Sequence, residues 1–114
     1  MKRYFARKTV CKQGCTHASK REAGRCDELH LRQADGEIVG LRVQPVFHFI
    51  VGGEYLKARN GHRIRYTADF TYVEARKQVV EDVKARNGHM ERDVPIKFAL
   101  MASCYPGIEL RVVT

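Results

Sequence analysis

The sequence predicts an α/β domain in which helices pack on a mixed β-sheet. Residues 19–33 have a stripe of apolar residues at helical spacing, and residues 94–104 begin with helix-start signals. Segments rich in strand-forming residues lie between these helices and again at residues 108–113, bounded by turn signals. The order of helix, several strands, helix and strand favours a mixed sheet.

The length and composition indicate one compact globular domain. The chain has 114 residues, of which 44% are hydrophobic, so it can bury a core without disulfides or metals. No apolar stretch approaches the roughly 18 residues of a membrane span. The basic N-terminus is not followed by an apolar segment, so it does not resemble a secretory signal. We expect an intracellular, soluble protein with a basic arm at residues 1–8 and a domain at 9–114.

The net charge points to an anionic partner. Lys and Arg number 21 against 13 Asp and Glu, a formal net charge of +8. On so small a domain this excess favours nucleic acid. The alternative is a charge that serves solubility alone.

The first half of the chain is expected to contain a hairpin, a helix and a bent strand. The hairpin spans residues 9–17 and turns around Gln13 and Gly14. The helix runs from about Ser19 to Gln33 and ends at Asp35 and Gly36. Residues 37–51 are expected to form one long strand or two, bent at Gln44 and Pro45 because proline interrupts a β-ladder.

The second half contains clear turn and helix signals. Gly52 with Gly53, and Asn60 with Gly61, predict turns. Residues 76–85 follow as a strand. The helix at 94–104 has Asp93 as a candidate N-cap and Pro95 in its first turn. Residues 108–113 form the last strand.

The cysteines are expected to be reduced and buried. Cys11, Cys15, His17 and Cys26 form a possible Cys₃His set, but three, one and eight residues separate them, which matches no familiar zinc spacing. Zinc is therefore not expected, and a core or surface role is preferred for His17. The fourth cysteine, Cys104, lies near the end of the second helix.

Two strands carry charges that a structural role does not explain. If they pair as a hairpin through residues 74–76, Asp69 and Asp82 come close on one face, Lys84 lies one pleat further on, and Glu81 points away. Ala68, Phe70 and Tyr72 are expected to share the face opposite Asp69. Close buried carboxylates repel each other, and a divalent cation offsets that cost.

A lysine beside such a cation suits phosphodiester hydrolysis, because it can orient a water or stabilise charge on a phosphate. The alternative is an exposed Asp69 with a surface ion pair between Asp82 and Lys84.

The chain resembles the PD-(D/E)XK nuclease superfamily, with Asp69 as the first acid and Asp82, Val83 and Lys84 as the (D/E)XK motif. More closely, it is similar to small phage-encoded proteins of the endonuclease or Holliday-junction-resolvase-like kind. The similarity runs in order through SKREA, LRVQP, YTADFTYV, VVEDVKA, IKFALM and YPGIELRVV, and covers most of residues 14–114. In two departures, Ala68 replaces the proline that often precedes the first acid, and His17 replaces an apolar residue.

The resemblance implies a restriction-endonuclease-like core of helix, three-strand meander, helix and strand. It implies Mg²⁺ or Mn²⁺ held by Glu22, Asp69, Asp82 and the Val83 carbonyl, with Lys84 completing the catalytic set. Glu22 has a second interpretation, because Ser19 and Glu22 also form a capping box. Gln44 belongs to the pattern, and we expect it to satisfy backbone groups near Pro45.

The implied activity is Mg²⁺-dependent cleavage of DNA, selective for structures such as branched DNA, by a homodimer in the cytoplasm of a host cell. Candidate DNA-binding cations are Lys2, Arg3, Arg7, Lys8, Arg63, Arg65, Arg86, Arg92 and Lys97. One alternative is a non-catalytic nucleic-acid-binding module on a nuclease-like fold. Another is a small phage protein that binds a host protein through residues 45–51.

Overall fold

The computed structural model describes residues 8–84 and 93–114, which form an α/β fold with two helices and a mixed central sheet. Most of the basic arm lies outside the described residues, as do Lys2, Arg3, Arg7, Arg86 and Arg92. The elements are β1 (Thr9–Val10), β2 (Thr16–His17), α1 (Lys20–Ala34), β3 (Val39–Val43), β4 (Val46–His48), β5 (Ile50–Val51), β6 (Glu54–Tyr55), β7 (Arg65–Thr67), β8 (Phe70–Glu74), β9 (Lys77–Val83), α2 (Val94–Cys104) and β10 (Glu109–Val113).

The central sheet has four strands in the order β10-β9-β8-β3. The strands β3, β8 and β9 form an antiparallel meander, and β10 pairs with β9 in parallel. A parallel neighbour requires a crossover connection, and α2 lies in that connection. The predicted sequence of helix, three-strand meander, helix and strand is confirmed.

Capping interactions set the bounds of α1. The Ser19 side chain accepts a hydrogen bond from the Glu22 amide at 3.2 Å, which is the N-cap bond expected of serine. At the other end the Asp35 amide donates to the carbonyl of Leu31 at 2.9 Å. Gly36 follows with φ +78°, a left-handed conformation that glycine adopts without strain. The helix thus begins one residue later than predicted and ends one residue later.

The second helix has the predicted bounds, but its cap differs from the prediction. Asp93 occupies the N-cap position without a side-chain cap bond. Its backbone is already helical, with φ −88° and ψ −9°, and its carboxylate instead contacts Lys97 Nζ at 2.9 Å. Pro95 lies in the first turn, where amide groups have no partner within the helix, so its lack of an amide hydrogen costs no hydrogen bond.

A tight turn joins β8 to β9 and sets the register of the candidate site. Glu74 pairs with Lys77, so the loop consists of Ala75 and Arg76, with φ +50° and +67°. Positive φ at both central residues is the geometry of a type I′ turn. The register continues to Phe70 opposite Glu81, which brings the start of β8 beside the end of β9.

The strand predicted at residues 37–51 is interrupted at Gln44, where the sequence predicted a bend. Gln44 has φ +55° between β3 and β4, and β4 leaves the central sheet to pair with β7. The Gln44 amide donates to the Asp69 carbonyl at 2.9 Å, and its side chain donates to the Thr16 carbonyl at 3.2 Å. Gln44 therefore satisfies backbone groups as expected, but its side chain does so on the N-terminal hairpin.

Two apolar clusters contribute to the core. The first joins α1 to the sheet and includes Cys26, Leu29, Phe70 and Tyr72. The second includes residues of α2 and contains Phe49, Tyr66, Ala68, Val80 and Met101. The prediction that Ala68 shares a face with Phe70 and Tyr72 is wrong, because residues 68 and 69 lie between β7 and β8, where regular strand alternation stops. No helix in the described part of the chain is long and apolar enough to cross a membrane.

Candidate active site

Asp69 and Asp82 lie together where the end of β9 meets the start of β8. One oxygen of Asp69, Oδ2, accepts a hydrogen bond from the Val83 amide at 2.6 Å, and the Asp69 amide donates to the Glu81 carbonyl at 3.1 Å. These bonds hold the Asp69 backbone and side chain against the strand that carries Asp82. The irregular backbone at residues 68 and 69 thus serves to position a carboxylate.

The surroundings of both carboxyl groups disfavour their ionised forms. Burial, followed by hydrogen bonding with Glu22, raises the pKa of Asp69 from 3.8 to about 7. Burial and the neighbouring Asp69 raise the pKa of Asp82 from 3.8 to about 6. Asp82 has only 8% of its surface exposed, so water solvates its charge poorly. Carboxyl groups in this state gain from a nearby cation.

Glu22 reaches the same place from α1. It is 5% exposed, and its proximity to Asp69 is one cause of the raised pKa of that residue. Its Oε2 also accepts a hydrogen bond from the Ala18 amide at 2.8 Å. Only half of the predicted capping box is present, because the Ser19 side chain accepts from the Glu22 amide while the Glu22 carboxylate bonds to the Ala18 amide and not to that of Ser19. The same carboxylate also lies close to Asp69.

Lys84 supplies a positive charge at the end of β9. Its Nζ lies 3.1 Å from Asp82 Oδ2, and its amide donates to the Val113 carbonyl at 2.7 Å. The ion pair is largely buried, with side-chain exposures of 13% for Lys84 and 11% for Asp82, so it is not the exposed surface pair considered from the sequence. One ammonium group is thus placed beside a cluster of three carboxyl groups.

An open cavity of about 310 Å³ gives solvent access to Asp82 and Lys84. Tyr66 lines it, and the Tyr66 hydroxyl is buried without a hydrogen bond among the described residues. Burial and the nearby Asp82 raise the pKa of Tyr66, so the phenol stays protonated. The sequence did not indicate Tyr66, because a tyrosine on an apolar strand gives no signal that separates a candidate site residue from a core residue.

Basic side chains surround the cavity. Arg65 and Lys97 line it, and Arg63 lines neighbouring cavities with Arg65. The Arg63 guanidinium lies 3.8 Å from the centre of the Tyr55 ring, a cation–π contact. Lys8, the remaining described member of the predicted DNA-binding set, is exposed. Three of these cations are therefore gathered near the candidate site.

Glu81 is buried on the other face of β9, as predicted, and is neutralised there. It is fully buried and accepts hydrogen bonds from Arg25 Nε at 2.6 Å and Nη2 at 2.9 Å. The Tyr72 hydroxyl donates a third bond to it at 2.5 Å. The sequence predicted that Glu81 points away from Asp82, but it gave no sign that Arg25 is the partner of Glu81.

The oxygen donors at the site suit Mg²⁺ or Mn²⁺. These hard cations prefer carboxylate and carbonyl oxygens. Glu22, Asp69 and Asp82 supply carboxylates, and the Val83 carbonyl belongs to the same stretch of β9. The pKa of Asp82 stays raised although the neighbouring Lys84 lowers it, so Lys84 alone does not offset the burial of that carboxyl group. Glu22, Asp69 and Asp82 are thus of the residue types that a divalent cation prefers as ligands.

A second polar cluster lies where the N-terminal hairpin packs on α1. It consists of Cys11, Cys15, His17 and Cys26, whose ligand atoms all lie within 4.8 Å of one another. The sulfur atoms of Cys11 and Cys26 are 3.6 Å apart, and all four cysteines of the chain are free thiols. The sequence spacing argued against a shared site, but the fold brings these residues together.

Three side chains of this cluster have unusual surroundings. Burial opposes ionisation of Cys11, but hydrogen bonding with His17 and with the backbone at Cys15 outweighs it and lowers the pKa of Cys11 to about 7. Burial raises the pKa of Cys26. His17 is 1% exposed, and neither ring nitrogen makes a well-formed hydrogen bond to any described residue. Each unsatisfied buried group costs about 1–3 kcal/mol.

The two clusters meet at Glu22, because His17 Nδ1 lies 3.4 Å from Glu22 Oε2.

No curated protein and no solved structure matches the chain. A family model, described as protein of unknown function (DUF1064), matches residues 1–114, and the chain therefore belongs to that family.

Proposed function

We propose that the protein is a metal-dependent endonuclease that hydrolyses DNA phosphodiester bonds, with Glu22, Asp69, Asp82 and Lys84 as its site. The observation that carries the proposal is the convergence of three carboxyl groups, of which Glu22 and Asp82 are buried and Asp69 is half-buried, with one ammonium group, where Asp82 and Lys84 line an open cavity. They come from α1, the β7–β8 junction and the end of β9. A structural role accounts poorly for this group, since burying adjacent carboxyl groups opposes folding.

A divalent cation, when bound, would polarise the scissile phosphate and favour the hydroxide form of a bound water. Glu22, Asp69 and Asp82 would hold it, together with the Val83 carbonyl. The bond from the Val83 amide fixes one oxygen of Asp69, so the other oxygen is the one available as a ligand. The bond from Ala18 restricts Glu22 in the same way.

Lys84 acts on the charge that develops at phosphorus. Its ammonium is a compact charge, held by Asp82 at 3.1 Å and oriented towards the acidic group. In a partly dehydrated site it either orients the attacking water or stabilises the phosphorane oxygens. The buried Tyr66 hydroxyl is a neutral donor near Asp82 that is not used by any described residue.

The surrounding cations favour a long anionic substrate over a small phosphate ester. Arg63, Arg65 and Lys97 extend the positive surface beyond the cavity that contains Lys84. Each phosphate that they neutralise adds to the salt dependence of binding. The sequence contains no base-reading motif such as a zinc finger on a recognition helix. We therefore propose selection of DNA by structure, including branched DNA, and a C₂ homodimer that supplies two sites for two strands.

Cleavage assays with a matched lysine pair test this function. The purified protein is incubated with Mg²⁺ or Mn²⁺ and linear duplex, single-stranded or four-way-junction DNA. We expect Lys84→Ala to lower cleavage by about 10²–10³-fold, as for loss of one oxyanion-stabilising donor. Lys77→Ala, which removes an exposed lysine at the other end of β9, serves as the control and should leave cleavage unchanged.

Loss of cleavage with EDTA and with Lys84→Ala, but not with Lys77→Ala, would support the proposal, and the preferred substrate would define the class of nuclease. DNA binding without cleavage on any substrate, unaffected by Lys84→Ala, would replace it with a non-catalytic binding module. Cleavage that survives Lys84→Ala would refute the assigned site.

A further inference from the structure

We propose that Cys11, Cys15, His17 and Cys26 form a structural zinc site that fixes the N-terminal hairpin to α1. The site adjoins the acidic group at Glu22, but its four ligands are other residues and it does not depend on the proposed nuclease function. Three ligands come from the hairpin, at or beside β1 and β2, and the fourth comes from the buried face of α1. A bound ion would add to the contacts that already join the hairpin to α1, such as the hydrogen bond from the Lys12 amide to Asp27 Oδ1 at 2.9 Å.

The sulfur positions fit tetrahedral zinc. With Zn–S bonds of about 2.3 Å, two thiolates in a tetrahedron are about 3.8 Å apart. The Cys11 and Cys26 sulfurs are 3.6 Å apart, and the ligand atoms of all four residues lie within 4.8 Å of one another. A disulfide requires a separation of about 2.0 Å, so these two sulfurs are not placed for one.

His17 points to a ligand independently of the cysteines. It is 1% exposed, and its two ring nitrogens lack a hydrogen-bond partner among the described residues. A buried imidazole left in that state is costly, and coordination of a metal satisfies one nitrogen directly. The other nitrogen has its own candidate partner, because Nδ1 lies 3.4 Å from Glu22 Oε2. A carboxylate that orients a metal-bound histidine is a common feature of zinc sites.

The donor set selects the metal and its role. Thiolate and imidazole ligands suit zinc, whereas magnesium prefers oxygen. Four protein ligands fill a tetrahedral site and leave no position for water or substrate, which is the arrangement of structural zinc.

The hairpin needs such support, because β1 and β2 have two residues each and pair only with each other among the described strands. Two-stranded hairpins are marginally stable without further packing.

Metal analysis of four proteins tests the site. The wild type, Cys15→Ser, His17→Ala and Cys104→Ser are expressed, reduced, mixed with equimolar zinc and passed through a desalting column. We expect the wild type and Cys104→Ser to retain close to one zinc per chain. Cys104 is the matched control, because it is the chain's other cysteine and lies outside the cluster. Cys15→Ser and His17→Ala should lose affinity by more than the roughly 10- to 100-fold that follows loss of a residue that only orients a ligand.

Cobalt substitution gives a readout that needs no variant. The wild type loaded with Co²⁺ should show thiolate-to-cobalt charge transfer in the near ultraviolet and the intense visible bands of a tetrahedral site. Zinc should also raise the unfolding temperature of the wild type and of Cys104→Ser.

Three results would overturn the proposal: a reduced wild type that retains no zinc, equal zinc in Cys15→Ser and the wild type, or a cobalt spectrum without thiolate bands. Because none of these measurements involves DNA, a failure here is distinct from a failure of the nuclease function.

Discussion

Replacing Asp69 by asparagine should make the metal-free protein more stable while removing its proposed activity. The carboxylate is held close to Glu22 and Asp82 in a partly buried position. The asparagine side chain would keep an oxygen that can accept the bond from the Val83 amide, and the substitution would remove one of the mutually repelling charges. A gain in stability together with a loss of activity is what is expected when a residue that serves function at the expense of stability is replaced.

The expected gain follows from the pKa of Asp69. Its rise from 3.8 to about 7 is roughly three units, and at 1.36 kcal/mol per unit it corresponds to about 4 kcal/mol. This is an upper bound, because Asp82, whose pKa rises to about 6, shares the same repulsion and would relax after the substitution. We expect Asp69→Asn to raise the free energy of unfolding by about 1–3 kcal/mol at pH 8.

The sign of the pH dependence is fixed by the direction of the shift. Above pH 7 Asp69 is ionised in both the folded and the unfolded chain, and the full cost of burying the charge is present. As the pH falls from about 7 towards 4, the folded protein binds a proton that the unfolded chain does not, so wild-type stability should rise. The stability difference between Asp69→Asn and the wild type should shrink over the same interval.

Urea unfolding in EDTA at pH 5 and pH 8 measures both effects. Asp35→Asn is the matched control, because Asp35 is exposed at the end of α1, and its effect should stay within about 0.5 kcal/mol. Added Mg²⁺ should stabilise the wild type more than Asp69→Asn. The reasoning is refuted if Asp69→Asn lowers stability at pH 8, or if its difference from the wild type is the same at both pH values.

Two further substitutions test the parts of the fold that position the site. Arg25→Met would leave Glu81 buried with only the Tyr72 hydroxyl, and should lower the free energy of unfolding by about 3–5 kcal/mol, measured by urea unfolding; a loss below about 1 kcal/mol would show that the pair is not structural. Replacing Ala75 and Arg76 by Asn-Gly, the preferred type I′ pair, should raise stability by about 0.5–1 kcal/mol in thermal unfolding. An unchanged or lower unfolding temperature would count against the assigned turn.

Local signals were sufficient for most of the fold. Ser19 and Gly36 bracket α1 because capping and left-handed backbone preferences depend on a few neighbouring residues. The bend at Gln44 and Pro45 was equally visible. These local signals do not show which strands pair with each other. The separation of β4 from the central sheet was therefore not predicted. Nor did they show that Asp93 adopts helical dihedrals and turns its carboxylate to Lys97.

The site was predictable where strand geometry determines it. A hairpin places residues opposite each other by simple counting, so Asp69 and Asp82 could be paired from the sequence. Tyr66 and the partner of Glu81 could not be, because each depends on packing between distant segments. The Cys11–Cys26 contact also joins residues from two elements. Familiar zinc spacings describe ligands that are close in the sequence. They did not help here, because the fourth residue of the cluster, Cys26, lies on α1, away from the hairpin that contains the other three.

The two buried acids of β9 differ in how completely the fold neutralises them. Glu81 and Asp82 are adjacent in sequence and point to opposite faces, and both are less than a tenth exposed. Glu81 meets a bidentate arginine and a tyrosine hydroxyl, so its charge is matched within the fold. Asp82 meets another carboxyl group and one lysine, and its pKa stays raised. A fold that can neutralise one buried acid so completely has left its neighbour unbalanced, and that imbalance is what a bound cation would relieve.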